Sequence, residues 1–172
     1  MNIVLSLKGK LWRRRDPIGW ARSIGVKVGD DCRFLGISEV TFGSEPYLIK
    51  IGNHVTITDG VKFSTHDGGV WVFRYEHPDI DVFGPIEIGD NVFLGFNTVI
   101  LPNVKIGSNC VIGAGAVVTR DIPNNSVAVG SPARVIRNTS EYLQKVDAIA
   151  MHIRKLSPED KRAQLERHFK IK

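Results

Sequence analysis

The chain has 172 residues, of which 42% are hydrophobic and 17 are glycine, and this composition suits one globular domain with many turns. Its formal charge of +5 would allow contact with nucleic acid, but the same surplus suits a small anionic cofactor that carries phosphates, and we favour the cofactor. No apolar run approaches the roughly 20 residues of a membrane span, and Met1 to Leu11 is too weakly apolar for a signal peptide, so the expected location is the cytoplasm.

Residues 1–25 are predicted to form an N-terminal helical arm. Its apolar side chains would cover the first strands of the domain, because bare terminal strands invite edge-to-edge association. The run from Trp12 to Arg15 contains three adjacent arginines. It leaves a second interpretation open, in which the arm contacts anionic lipid headgroups at a membrane surface.

A period of six residues begins after the arm. The predicted inward side chains are Val28, Phe34 and Val40, followed by Ile51, Ile57 and Phe63. Ile51 lies eleven residues after Val40 instead of twelve, which we interpret as a one-residue deletion at a corner. Cys32 and Cys110 fall at the small-residue position of the repeat and are predicted to be buried thiols.

The repeat disappears between residues 68 and 85. This segment is predicted to leave the wall of the domain as a loop on one face and then to return. Loops of this length are where binding and chemistry concentrate.

From residue 86 to residue 129 the repeat is regular. The aliphatic residues that return every six positions are Ile88, Leu94, Ile100, Ile106, Ile112 and Val118. A period of six fits neither a helix nor one long alternating strand. It predicts a short strand followed by a turn, repeated so that the aliphatic side chains stack inside.

Residues 138–172 are predicted to be helical. Tyr142, Val146, Ile149 and Ile153 lie three or four residues apart, as on one face of a helix. Ser157, followed by a proline, is a start signal for a second helix.

The pattern resembles the hexapeptide-repeat acyltransferases. The segments THDGG, PIEIGDNVFLG, VIGAGAVVTRDIP and VAVGSPARVIR look like the sugar O-acetyltransferases related to maltose and galactoside acetyltransferases. The resemblance covers roughly residues 26–137. It implies that this domain is all-β, a left-handed parallel β-helix between the helical arm and the C-terminal helices. It also implies a homotrimer with active sites between chains.

THDGG resembles the place where these enzymes carry their catalytic histidine, which here is His66. Transfer of acetyl from acetyl-coenzyme A to a saccharide hydroxyl requires that the hydroxyl lose its proton, and histidine suits that task near neutral pH. Direct attack is expected, since no serine or cysteine sits in an evident nucleophile arrangement. The resemblance further implies a role in surface polysaccharide biosynthesis.

The same resemblance places the cofactor along the segments VFLGF and GAGAVVT and beside basic residues. The implicated residues are Gly95, Phe96, Gly113, Ala114, Thr119, Arg120, Arg134 and Arg137. Small side chains would let an extended pantetheine arm reach the backbone, and guanidinium groups would bind the phosphates. Phe93 and Phe96 depart from the family, which usually has tryptophan and a small polar residue there, so a hydroxyl contact would be lost.

The loop would bind the acceptor, a saccharide or nucleotide sugar. Its aromatic and charged candidates are Asp67, Trp71, Arg74, Tyr75 and His77. The alternative for this loop is that its aromatic residues pack on a neighbouring chain.

Other functions stay open. One is N-acetylation of an amino sugar or O-acetylation of a small alcohol such as serine, and another is a scaffold without activity. A zinc hydrase that resembles the gamma-class carbonic anhydrases would need a different histidine spacing from that of His54, His66 and His77, so no metal is predicted. His54 is interpreted as a structural corner residue.

Overall fold

The computed structural model describes residues 11–171, so the first part of the predicted arm and Lys172 lie outside it. Residues 11–15 are helical. The elements that follow are α1 (Pro17–Ser23), β1 (Lys27–Val28), β2 (Arg33–Phe34), a 3-10 helix (Pro46–Leu48), β3 (Ile49–Ile51), β4 (Thr56–Ile57), β5 (Lys62–Phe63), a 3-10 helix (Gly68–Phe73), β6 (Ile86–Ile88), β7 (Val92–Leu94), β8 (Val99–Ile100), β9 (Lys105–Ile106), β10 (Cys110–Ile112), β11 (Val117–Val118), β12 (Ser126–Val129), β13 (Arg134–Asn138), α2 (Thr139–Asp147) and α3 (Pro158–Phe169).

The strands form three sheets that the chain visits in turn. Sheet A has the order β1-β3-β6-β9, sheet B has the order β13-β12-β10-β7-β4-β2, and sheet C has the order β11-β8-β5. All pairs are parallel except β12 with β13. Ile88 pairs with Ile106, so one regular circuit takes 18 residues, or three hexapeptides. The predicted repeat of strand and turn is confirmed.

The regular inward positions are buried as predicted. The six aliphatic residues from Ile88 to Val118 are each at most 3% exposed. Cys110 is buried and Cys32 is partly buried against the same core. Burial raises the pKa of both thiols, which leaves them poor nucleophiles at neutral pH.

The first circuit differs from the sequence-based interpretation. Val40 is 64% exposed, whereas Phe42 is fully buried, with its ring centroid 5.4 Å from that of Phe63. Val28 pairs with Ile51, so this circuit takes 23 residues. The predicted deletion was wrong, because Val40 is a turn residue and not an inward one. The circuit contains five extra residues, two of them before Phe42 and three after it.

Helix α1 covers this first circuit. Asp16 caps it by accepting a hydrogen bond from Gly19 N at 2.8 Å, and Trp20 packs on the Phe42 ring. Arg22 donates hydrogen bonds to the carbonyl oxygens of Val28 and Gly29 at the end of β1. These bonds satisfy backbone groups at the edge of sheet A.

The loop leaves the coil after Thr65 and returns at Gly84. Gly84 N donates to Thr65 O at 2.9 Å, and His66 and Phe83 form an antiparallel bridge at the base of the loop. The loop therefore spans residues 66–83 and begins two residues earlier than predicted.

The chain divides into two compact units, Met1–Ser140 and Glu141–Lys172. Ser157 caps α3 as predicted, accepting from Asp160 N at 3.1 Å. The prediction that Ile149 and Ile153 continue the preceding helix was wrong, because α2 ends at Asp147 in a turn closed by Ile149 N and Val146 O. Within residues 11–171 no helix is long and apolar enough to cross a membrane.

Candidate active site

His66 occupies the first position of the loop, at the end of sheet C. Its backbone is fixed twice, by the bridge to Phe83 and by Ser64 Oγ, which donates to His66 O at 3.0 Å. The Phe83 ring packs against the imidazole at an interplanar angle of 61°, with 6.2 Å between the ring centroids. The His66 side chain is still 43% exposed.

Glu45 lies directly beside this histidine. Its Oε2 is 3.1 Å from His66 Nδ1 and accepts a hydrogen bond from Thr65 Oγ1 at 2.7 Å. Glu45 lies in the segment between Phe42 and Ile51, which is three residues longer than in a regular circuit. The enlarged corner therefore brings a carboxylate to the imidazole, across 21 residues of sequence.

Sequence reasoning missed Glu45. The break in the repeat was visible, but its interpretation as a deletion left no extra residues to place. The available signal was a carboxylate followed by a proline at the point where the period failed, 21 residues before the candidate base.

The protonation of this pair can be inferred from its hydrogen bonds. Burial by itself raises the pKa of Glu45, but hydrogen bonds from Thr65, Ser44 and His66 outweigh it and hold the pKa below its usual 4.5. Glu45 is therefore ionised near neutral pH and can only accept. In the neutral form of His66, Nδ1 then carries the hydrogen that Glu45 accepts, and Nε2 has the lone pair.

Nε2 is the free end of this arrangement. Among residues 11–171 no side chain or backbone group forms a hydrogen bond with it. Ser44 Oγ lies 3.3 Å from Nδ1, the nitrogen that also faces Glu45. A nucleophilic serine would need the opposite nitrogen, so Ser44 is not part of a Ser-His-Glu triad.

Replacement of Glu45 by glutamine tests the charge of this pair. Because the pKa of Glu45 is lower in the folded state than in the unfolded state, its ionisation stabilises the fold above pH 4.5, and this stabilisation is lost as the pH falls through the folded-state value. We expect Glu45→Gln to lower the free energy of unfolding by about 1 kcal/mol at pH 7, since the amide still accepts from Thr65. Urea unfolding at several pH values would measure it.

The difference between wild type and Glu45→Gln should shrink below pH 4.5. Glu76→Gln, on the exposed part of the loop, is the matched control and should change stability little at any pH. A deficit for Glu45→Gln that stays constant across the pH range would show that shape and not charge is responsible.

Four of the predicted cofactor residues stack at one corner of the coil, between sheets B and C. Gly95 N donates to Ile112 O at 2.9 Å, and Gly115 N donates to Phe96 O at 2.7 Å, which places Gly95 and Phe96 against Gly113 and Ala114. A Cβ on Gly95 would lie 2.6 Å from Ala114 N, so only glycine fits there. Phe96 is 55% exposed at this corner, which we call the small-residue corner.

The other cofactor candidates do not all lie at the small-residue corner. Thr119 and Arg120 follow β11 and are exposed at the opposite end of sheet C, the end at which His66 lies. Arg134 pairs with Val129, whose side chain borders Gly113, so Arg134 adjoins the small-residue corner. Arg137 pairs with Val127, which lies two residues before Val129 in β12 and so further from the small-residue corner.

The loop presents most of its predicted acceptor residues to solvent. Trp71 is 71% exposed and Tyr75 is fully exposed, while Asp67 accepts from Gly69 N and caps the 3-10 helix. Arg74 forms an ion pair with Asp81, which holds its guanidinium inside the loop. His77 is exposed.

His54 lies at a corner away from His66, between sheets A and B. Its Nδ1 is 2.8 Å from Asn91 Oδ1, and the row continues as Asn91 donates to Asn109 and Asn109 donates to Asn125. This row ties successive circuits together. In the described part of the chain, no three His, Cys, Asp or Glu side chains form a group that could hold a metal ion.

The sequence is similar to those of known proteins. The family model described as bacterial transferase hexapeptide (six repeats) matches residues 85–120. Protein CapG of Staphylococcus aureus is 53% identical over 161 residues, which are 94% of this chain and 94% of CapG. Galactoside O-acetyltransferase of Escherichia coli is 43% identical over 97 residues, which are 56% of this chain and 47% of that enzyme.

A solved structure of a sugar acetyltransferase is also similar to this chain. The crystal structure of a maltose O-acetyltransferase from Clostridium difficile superposes with a TM-score of 0.50 at 29% identity, covering 70% of this chain and 73% of that one. This chain thus spans nearly all of CapG but about half of the galactoside enzyme. It belongs to the hexapeptide-repeat acyltransferases and is an acetyltransferase of that family.

Proposed function

We propose that this protein transfers the acetyl group of acetyl-coenzyme A to a hydroxyl group of a saccharide, with His66 as general base. The observation that carries the proposal is the hydrogen bonding of His66. Glu45 holds Nδ1 at 3.1 Å, while Nε2 is uncommitted at the base of an aromatic loop. A base needs this combination of a fixed ring and a free lone pair.

The reaction follows from this geometry. Nε2 of His66 takes the proton of the acceptor hydroxyl as its oxygen attacks the thioester carbon. The carbon–sulfur bond then breaks, and the imidazolium returns the proton to the departing sulfur. Glu45 stabilises the imidazolium in between, since a carboxylate at Nδ1 favours the charged ring.

The cofactor would lie along the small-residue corner. Gly95 and its neighbours leave the backbone accessible to an extended pantetheine arm. The N–H of Gly95 is used within the coil, whereas Phe96 N has no hydrogen bond to another residue of the described chain. Phe96 N is thus our candidate to stabilise the oxyanion of the tetrahedral intermediate.

A complete site would require two chains. His66 and the small-residue corner lie at opposite ends of sheet C, so one chain does not bring them together. A left-handed β-helix of triangular cross-section, assembled as a homotrimer, would place the histidine edge of one chain against the small-residue corner of the next. The exposed Trp71, Val72 and Phe73 would then pack at or beside that interface.

The acceptor would lie against the loop. Trp71 and Tyr75 offer exposed aromatic faces that suit sugar rings, and Asp67 and His77 offer polar groups. Two of the similar proteins are named as galactoside and maltose O-acetyltransferases. We infer a saccharide or nucleotide-sugar acceptor, modified in the cytoplasm as a precursor of a surface polysaccharide.

An acceptor screen tests this function. The purified protein should release coenzyme A thiol from acetyl-coenzyme A when oligosaccharides or nucleotide sugars are added, and the product should be an ester that hydroxylamine cleaves. Amino sugars and serine complete the panel, with acceptor-free reactions as the blank. Acetylation restricted to an amine or to serine would contradict the saccharide proposal, and absence of thiol release with every acceptor would favour a scaffold.

A further inference from the structure

The helical turn of residues 11–15 has two distinct sides. Arg13 lies on the inner side, where its side chain is 12% exposed, pairs with Glu39 at 3.1 Å and has its guanidinium carbon 5.1 Å from the centre of the Trp20 ring. Since successive helical residues are rotated by about 100°, Leu11 and Arg15 point roughly away from Arg13. Arg13 thus ties the turn to the domain, whereas Leu11, Trp12, Arg14 and Arg15 are exposed.

The outward side combines apolar and basic side chains. Leu11 is 49% exposed and Trp12 is 47% exposed, and both Arg14 and Arg15 are exposed. Within residues 11–171 neither Arg14 nor Arg15 has an ion pair or a side-chain hydrogen bond. We define Leu11, Trp12, Arg14 and Arg15 as the arm surface.

Two carboxylates beside the turn, Asp16 and Glu39, do not neutralise the arm surface. Asp16 is occupied as the cap of α1, where its Oδ1 accepts from Gly19 N at 2.8 Å. Glu39 is paired with Arg13 on the inner side. The positive charge of Arg14 and Arg15 therefore remains available to an external anion.

We propose that the arm surface binds the protein to an anionic membrane. Phosphate groups of any source would satisfy the arginines, but an aqueous anion offers nothing to the apolar side chains. A lipid interface accepts both, because tryptophan and leucine enter the boundary between headgroups and acyl chains while arginine meets the headgroup charge. A nucleic acid would leave Leu11 exposed, so the membrane is favoured.

The sequence immediately before the arm surface has the same character. Lys8 and Lys10 add basic residues, and Leu5 and Leu7 add apolar ones. Membrane binding through the arm surface needs neither acetyl transfer nor a saccharide acceptor, so it is independent of the proposed function. Its consequence would be to hold the protein where lipid-attached molecules are concentrated.

Vesicle sedimentation with the full chain tests the arm surface. The protein should bind vesicles of one part phosphatidylglycerol to two parts phosphatidylcholine and should not bind phosphatidylcholine alone. Each basic residue near an anionic surface contributes roughly fivefold to binding, so the double variant Arg14→Glu/Arg15→Glu should lower the partition coefficient by more than about tenfold. Trp12→Ala should weaken binding several-fold without changing its dependence on salt.

The matched control is Arg154→Glu/Lys155→Glu, an exposed basic pair elsewhere whose reversal changes the net charge equally. This control should bind vesicles like wild type, and all variants should keep the wild-type circular dichroism. Equal losses in the two double variants would show that net charge alone attracts the protein. Absence of binding to anionic vesicles would also overturn the proposal, as would an arm-surface variant that loses affinity only for a DNA oligonucleotide.

Discussion

Replacement of His66 by alanine should lower turnover at least about 10²-fold, as expected for loss of a general base, while the affinity for acetyl-coenzyme A stays near that of wild type. The side chain is 43% exposed and contributes little to the core, so the variant should fold and assemble normally. Steady-state kinetics with saturating acceptor would measure the loss. Retention of most of the activity would remove His66 from the reaction.

Mixed oligomers provide the control for this variant. Ala114→Trp should fill the small-residue corner and block the cofactor, because Ala114 is exposed and a large side chain there would occupy the groove. Neither variant alone should be active. If sites form between chains, co-expression should place an intact His66 of one chain beside an intact small-residue corner of the next at about a quarter of the interfaces. Mixed oligomers as inactive as the pure variants would argue for a site within one chain.

Replacement of Arg134 by alanine should raise the Michaelis constant for acetyl-coenzyme A about ten- to a hundredfold, or roughly 1.5 to 3 kcal/mol for a lost charge-assisted phosphate contact. The Michaelis constant for the acceptor should change much less. Arg137→Ala should have a smaller effect, because Arg137 pairs with Val127 and Arg134 adjoins the small-residue corner through Val129. Initial rates at varied cofactor concentration would separate the two arginines.

Acetyl-dephospho-coenzyme A provides a second measurement. The wild type should discriminate against it if Arg134 binds the 3′-phosphate, and Arg134→Ala should not. Arg154→Ala, an exposed arginine in the C-terminal unit, is the control for loss of one positive charge. Equal discrimination by wild type and Arg134→Ala would require a different cofactor path.

The regular part of the coil could be predicted from the sequence because each inward residue is aliphatic and the spacing never varies between Ile88 and Val118. The same spacing could have predicted that the candidate cofactor residues lie at two different corners of the coil. Gly95 and Gly113 are one circuit apart and therefore stack, whereas Thr119 is six residues further and belongs to the next corner.

The first circuit could not be predicted in this way. Val40 and Phe42 are both apolar, and only their packing shows which of them points inward. A corner tolerates extra residues without disturbing the strands on either side, so counting along the sequence cannot reveal how many it contains. The position of Glu45 depends on the number of extra residues in the corner. Its contact with His66 therefore appeared only in the structure.

The pairing of strands between successive circuits fixes the spacing of the circuits along the axis of the coil. Neighbouring parallel strands lie about 4.8 Å apart, so positions along the axis change only in whole steps of that size. His66 belongs to the circuit of β5, and Gly95 and Gly113 belong to the two circuits that follow. A point substitution can change which side chain lies at a given position along the axis. It does not move the backbone of that circuit along the axis. If His66 is the base and the cofactor lies along the small-residue corner, the axial offset between the base and the thioester would change only when a complete turn of the chain is gained or lost.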